Sequence, residues 1–300
     1  MTRHDPGAPR AALANPVGDL AVAPIVAPAA AYPPRLPRLT PLAALVDFCK
    51  KTLTIAEWEV RKLRHDPTDI ITRTVQPVLW LLIFGEVFTR VRAFPTGHLS
   101  YLDFMAPGIL AQSVLFISIF YGIAVIWERD LGVIHKFLAS PTPRAALVLG
   151  KALSAGARAL PQAAIIYVLA LLLGVHMNWN PLALLGVVLV VMLGAALFST
   201  FSVLIACVLK SRERVMGIGQ VLTMPLFFAS NAIYPVTSMP PWLRVIARAN
   251  PLSYEVDALR AMMLAGESSA MGLGTDFAVL LLVSVALIAL GAWLYPNVIR

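Results

Sequence analysis

The sequence predicts an all-α integral membrane protein with six transmembrane helices, and three observations carry that prediction. Apolar residues make up 59% of the 300-residue chain and charged residues 13%, with mean hydropathy +0.78, far from the values of a soluble domain. Charge is missing altogether from residues 104–127, 159–209, 215–243 and 277–299, runs long enough to cross a bilayer. The second run holds two helices, divided at His176-Met177-Asn178-Trp179-Asn180-Pro181. Finally, ten of the 24 basic residues fall in 1–73 and eight more in 128–158 and 210–214, while segments 93–101 and 176–180 contain none. That asymmetry places the basic segments and both termini in the cytoplasm with an even number of spans. The net charge of +8 is therefore read as a topology signal, with membrane lipid and not nucleic acid as the surface it meets. Strands of alternating polarity are lacking, which argues against a β-barrel.

In chain order, residues 1–39 are rich in Ala and Pro and are expected to be a disordered cytosolic tail. Thr40-Pro41 reads as a helix start for an amphipathic helix over 40–66. Leu42, Leu45, Val46, Cys49, Leu53, Ala56, Val60 and Leu63 share one face, with Asp47, Lys50, Lys51, Thr54 and Arg61 opposite, a pattern that suits the membrane interface. A membrane domain of six spans occupies 74–300. Its spans are expected near 75–91, 105–126, after the charged segment up to Val175, 182–209, 215–233 and 277–295. Lys151 and Arg158 are expected to snorkel at the inner interface. Residues 234–275, interrupted by Pro235, Pro240, Pro241 and Pro251 and carrying Arg244, Arg248, Glu255, Asp257 and Arg260, are expected to form broken re-entrant helices on the outer side, with Asp257 and Arg260 three apart and able to pair.

Catalytic motifs are missing. Gly150-Lys151 is not a phosphate loop, since Ala145 stands where its first glycine belongs and Ala152 replaces the Ser or Thr. Cys49 and Cys207 support neither a disulfide nor a metal site. No cofactor or metal is expected on this chain. Glu86 is the acid embedded in an expected span, with Arg90 four residues on as its candidate partner. Phe116 and Phe120 form an aromatic stripe that either lines a pathway or packs helices. A chain without its own energy source gives meaning to segment 128–144, which leaves the membrane after the second span and returns into the third. Its acids, bases, and helically spaced Leu131, Ile134, Phe137 and Leu138 suit a short helix gripped by a soluble partner.

The run Glu128-Arg129-Asp130-Leu131-Gly132 through Phe137-Leu138-Ala139-Ser140-Pro141, with Arg144 and Gly150-Lys151, resembles the coupling segment of type-2 ABC exporter permeases. So does the later run Pro235, Met239-Pro240-Pro241-Trp242-Leu243, Asn250-Pro251-Leu252-Ser253-Tyr254, Asp257-Ala258-Leu259-Arg260. The subfamily is similar to the daunorubicin-resistance and nodulation lipo-oligosaccharide permeases, and the resemblance covers roughly residues 41–300. It implies a permease subunit of the bacterial inner membrane that is not itself an enzyme. Two permease copies, identical or related, would each dock a separate ABC ATPase subunit, which holds MgATP. Glu128, Arg129, Asp130, Leu131, Gly132, Phe137, Leu138 and Pro141 would contact the ATPase. Phe116, Phe120, Phe227, Phe228 and Asn231 are the pathway candidates, with Glu86 beside them. Pro240, Pro241, Trp242, Asn250, Pro251, Asp257 and Arg260 mark the outer re-entrant motif. The substrate class expected is an amphipathic drug or lipid, with a glycolipid as the alternative; an ATP-independent carrier or membrane enzyme is the reading of a different class.

Overall fold

The computed structural model describes residues 41–65, 68–91, 99–134, 142–209 and 211–295, and the described residues from Leu42 onward form one compact unit. The expected tail 1–39 lies outside the described residues. Every extended element described is helical. Helix α1 spans Pro41–His65, α2 Thr68–Leu79, α3 Gly85–Val91, α4 Tyr101–Ile123 and α5 Val125–Asp130. They are followed by α6 Arg144–Leu172, α7 Pro181–Val208, α8 Arg212–Phe228, α9 Pro241–Ala249, α10 Pro251–Met263 and α11 Leu273–Leu294.

Four helices are long and apolar enough to cross a bilayer among the described residues: Tyr101–Asp130, α6, α7 and α11. They differ in what surrounds them. Helix α4 is apolar on nearly all sides and is almost wholly buried, as the central helix of a bundle must be, packed on α6, α7, α8 and α10. Helix α11 is equally apolar yet mostly exposed, so its hydrophobicity answers to lipid and not to a protein core. Helices α2 and α3 are joined by a π-helical stretch, Trp80–Phe84, with helical torsions on both sides, and this continuous helix starts seven residues before the expected first span. The fifth apolar run ends its helix at Phe228, five residues earlier than expected, and turns through Ala229–Ala232.

Small residues set the closest approaches. A Cβ on Gly108 would lie 2.4 Å from the Ala232 carbonyl oxygen, and one on Gly122 would lie 2.5 Å from that of Ser199. Backbone meets backbone at these points, which is how helices gain packing energy where apolar burial alone gives little. Ser202 Oγ donates to the Ile119 carbonyl (2.7 Å) and Tyr101 OH to that of Ile233 (3.1 Å), pinning α4 at both ends.

Helices α9 and α10 form a hairpin that begins and ends at one end of the bundle. Asn250 caps α10 through its Oδ1, which accepts from Leu252 N–H, and its Nδ2 donates to the Leu226 carbonyl (2.7 Å). The C-terminal end of α10 pairs with the α6–α7 loop through Asn178 N–H to Met263 O (2.8 Å) and Ala265 N–H to His176 O (3.0 Å). The same loop is held to the start of α4, where Asp103 Oδ1 accepts from His176 N–H (3.0 Å). The bend at Asn250 therefore lies inside the bundle, at the level of the last turn of α8.

Helix α1 presents Leu42, Leu45, Val46 and Leu53 outward, while Thr52 and Ile55 press onto Gly150. Its exposed side carries the ion pairs Asp47–Lys51 and Glu57–Arg61, both 2.7 Å. The apolar face predicted from periodicity is thus largely unpartnered by protein.

Candidate coupling site

Segment 125–134 begins where α4 bends at Ala124, whose N–H reaches back to the Tyr121 carbonyl. Helix α5 is short because Gly132 adopts φ +71°, a left-handed conformation natural to glycine, and so reverses the chain. Leu131 is left 76% exposed on that turn. Phe137, Leu138 and Pro141 lie outside the described residues.

Three sets of contacts fasten this segment to the bundle. Glu128 Oε2 accepts from Lys151 Nζ at 2.6 Å, a buried ion pair joining α5 to α6. Lys151 therefore points into the protein, correcting the expectation that it snorkels to the interface. A desolvated cation needs a desolvated anion, and Glu128, one helix away, provides it. Second, Asp130 Oδ2 receives Arg212 through Nε (2.6 Å) and a terminal nitrogen (2.5 Å), while Arg129 Nε donates to Oδ1 (3.0 Å). The Arg212 guanidinium also lies 5.9 Å from the Trp127 ring centre. Arg212 opens α8, so the segment is tied to the following helix pair as well. Third, an apolar knot gathers Ile55 of α1, Val125 of α5, Ile134, Leu147 and Val148 of α6, Val203 and Cys207 of α7, and Tyr295. An element held by one buried ion pair, one guanidinium clamp and a shared core moves with the helices it touches.

The pathway candidates separate. Phe116 and Phe120 stack at 6.4 Å and line a cavity of about 200 Å³ with Arg73, Gln76, Gln112 and Gln220. Phe227 is fully buried, edge-on to Trp80, whereas its neighbour Phe228 is 41% exposed. Phe228 and Trp242 line a wider apolar cavity of about 600 Å³ between α8 and the α9–α10 hairpin, together with Asn250 and Pro251. Pro240 caps α9 and Pro241 begins it. Asn231 sits elsewhere, buried at the far end beside Arg260. Glu86 is exposed on α3, and the Arg90 side chain lies outside the described residues.

The expected Asp257–Arg260 pair is not formed. Asp257 Oδ2 accepts from Ser269 Oγ and Met271 N–H, both at 2.9 Å, and Arg260 donates to the carbonyls of Phe104 (3.3 Å) and Asn231 (3.0 Å). Residues brought in from other segments outcompete the neighbour three positions along.

Sequence reasoning also missed Glu255. It is 0% exposed, neither carboxyl oxygen has a hydrogen-bond partner among the described residues, and it fills a notch made by Gly194 midway along α7.

With this geometry in view, known proteins supply the context. The chain is 29% identical over 212 residues to "Daunorubicin resistance ABC transporter permease protein DrrB1" of Streptomyces coeruleorubidus, covering 71% of this chain and 74% of that protein. It is 28% identical over 202 residues to "Putative transport permease ycf38" of Cyanophora paradoxa (66% and 69% covered) and 26% identical over 197 residues to "Nodulation protein J" of Rhizobium leguminosarum bv. trifolii (65% and 74%). Residues 50–264, most of the length over which the two motifs suggested a resemblance, match the family model described as ABC-2 type transporter. The chain belongs to the ABC-2 type transporter family, as a membrane-embedded permease.

Proposed function

We propose that the protein is the transmembrane subunit of an ATP-driven exporter, with six spans, an interfacial α1, a cytosolic coupling segment at 128–144 and a re-entrant outer segment at 234–275. It works in a bacterial inner membrane with both termini in the cytoplasm. Two permease copies pair, and each docks an ABC ATPase subunit that binds MgATP. The substrate is an amphipathic drug or a lipid-like molecule taken from the cytosol or inner leaflet. The observation that carries this reading is the fastening of segment 125–134 to α1, α6, α7 and α8 together. A push on exposed Leu131 and its turn is thereby delivered to several helices at once. ATP drives the cycle because it binds one state of the engine more tightly than the other.

The test is copurification. The full chain, coexpressed with a candidate ABC ATPase, should purify as a complex whose ATP hydrolysis is stimulated by amphipathic compounds. Glu128→Ala should lose the stimulation at least tenfold. If no ATPase copurifies and transport persists without ATP, the exporter reading fails.

A further inference from the structure

Between α2, α4 and α8 lies the cavity of about 200 Å³ that Phe116 and Phe120 face. Its volume suits one ring-sized group and not a whole drug-sized molecule. Three glutamines meet there, one from each helix: Gln76, Gln112 and Gln220. Gln112 stands at the midpoint of α4 and Gln220 at the midpoint of α8, inside the uncharged runs 104–127 and 215–243.

Among the described residues, none of these three amides has a hydrogen-bond partner. Water is scarce at the depth of a membrane span, so each unpartnered amide there costs free energy. One alone would be an expense of packing. Three, brought from separate helices to one wall, point to a polar group that meets them.

Gln112 fixes what that group offers. The residue is 1% exposed and its Oε1 is fully enclosed, so its Nε2 is the end left to face the cavity. An amide nitrogen donates and does not accept, so a ligand must bring it an acceptor. Gln76 and Gln220 are exposed and turn either end of the amide inward, which suits a donor or an acceptor. Phe116 and Phe120 stand one helical turn apart with ring planes 28° from parallel, two faces for a flat ring. No acid is among the described residues that line the cavity.

We propose that this cavity binds a planar ring carrying a neutral carbonyl or amide group, with the ring against Phe116 and Phe120 and the carbonyl oxygen accepting from Gln112 Nε2. Given the exporter reading, on which the functional meaning of the site rests, it holds the ring end of an exported amphiphile within the membrane. Arg73, whose guanidinium lies 5.0 Å from the Phe120 ring centre, is the feature that would favour an anion, and an anionic probe decides between them.

Binding at equilibrium needs no ATPase, so the site and the exporter reading fail separately. The full chain in maltoside micelles is irradiated with benzophenone, a neutral ring ketone. Its excited carbonyl oxygen takes a hydrogen atom from a nearby C–H bond and the two carbon radicals join, which adds the whole molecule to the protein. Labelling should saturate and fall on the peptides that hold Phe116, Phe120 and Met224, the methionine in the cavity wall. Acetanilide should suppress it, whereas ethylbenzene and benzenesulfonate at equal concentration in the micelle phase should not. Gln112→Leu and Gln220→Leu should each raise the benzophenone half-saturation at least fivefold. Because the Gln112 amide bonds to no described residue, Gln112→Leu should unfold at no lower temperature than the wild type. A lower midpoint would show that the amide holds the fold together, and it overturns the proposal. Labelling that does not saturate or falls elsewhere, suppression by ethylbenzene or the sulfonate as strong as by acetanilide, or an unchanged half-saturation in either glutamine variant overturns it as well.

Discussion

Lys151→Met is expected to lower the stability of the folded protein by about 3–5 kcal/mol, because it takes from the Glu128 carboxylate the cation that pairs with it at 2.6 Å in a largely buried site. Among the described residues, the next cation along α6 is engaged elsewhere. Arg158, seven residues along α6, lies with its guanidinium 4.7 Å from the Tyr121 ring centre, over the same ring that Lys151 approaches at 5.7 Å. Removing both charges is a different matter, since two desolvation penalties disappear with the attraction that offset them. Glu128→Leu with Lys151→Met should recover to within about 1–2 kcal/mol of the wild type. Thermal unfolding in nanodiscs separates the cases. A single variant as stable as the wild type would show that the pair is hydrated and contributes nothing to the packing of α5 on α6.

Gly108→Val is the second large effect. The Cβ it adds would meet the carbonyl oxygen of Ala232 at 2.4 Å and its Cα at 2.8 Å, and neither is the end of a flexible side chain. The turn after α8 must then move away from α4. That displacement strains the Tyr101 hydroxyl bond to Ile233 and pulls apart the two carbonyls, of Phe104 and Asn231, that hold Arg260. A loss of about 3 kcal/mol or more is expected, the upper range for overpacking. Gly274→Ala is the control, because nothing lies within 4 Å of the atom it adds. It should be neutral or stabilising, as alanine is the better helix former. Equal behaviour of the two variants would contradict the close approach of backbone to backbone.

How far the sequence foretold this depends on what each feature asks of the chain. Long uncharged runs became α4, α6, α7 and α11, because a span is a local property of about 20 consecutive residues. The periodicity of 41–65 likewise yielded a helix with leucines on one open face. Charged residues were harder. A lysine eight positions into an apolar helix reads as a snorkelling anchor, and only the Glu128 partner, 23 residues away, turns it inward. Arg212, in the basic segment 210–214, reads as a topology signal because its partner Asp130 stands 82 residues before it. Asp257 and Arg260 satisfied a helical spacing rule, but Ser269, Met271, Phe104 and Asn231 offered better geometry. Glu255 had no sequence signal for burial, since its notch is the missing side chain of Gly194 on another helix. Local patterns thus located the helices, and long-range pairs decided where their charges went.

The central claim is that segment 125–134 hands motion to the bundle, and ATP-driven transport by the reconstituted permease–ATPase complex tests it through Asp130 and Arg212. Both side chains are partly exposed, at 30% and 47%, so their ion pair contributes little to stability and its loss should leave the fold intact. Asp130→Arg and Arg212→Asp should each cut transport per ATP hydrolysed at least tenfold with the unfolding midpoint unchanged. The double exchange, which restores an opposite-charge pair across the same gap, should recover most of it. Wild-type transport in either single variant, or a double variant no better than the singles, would contradict the account.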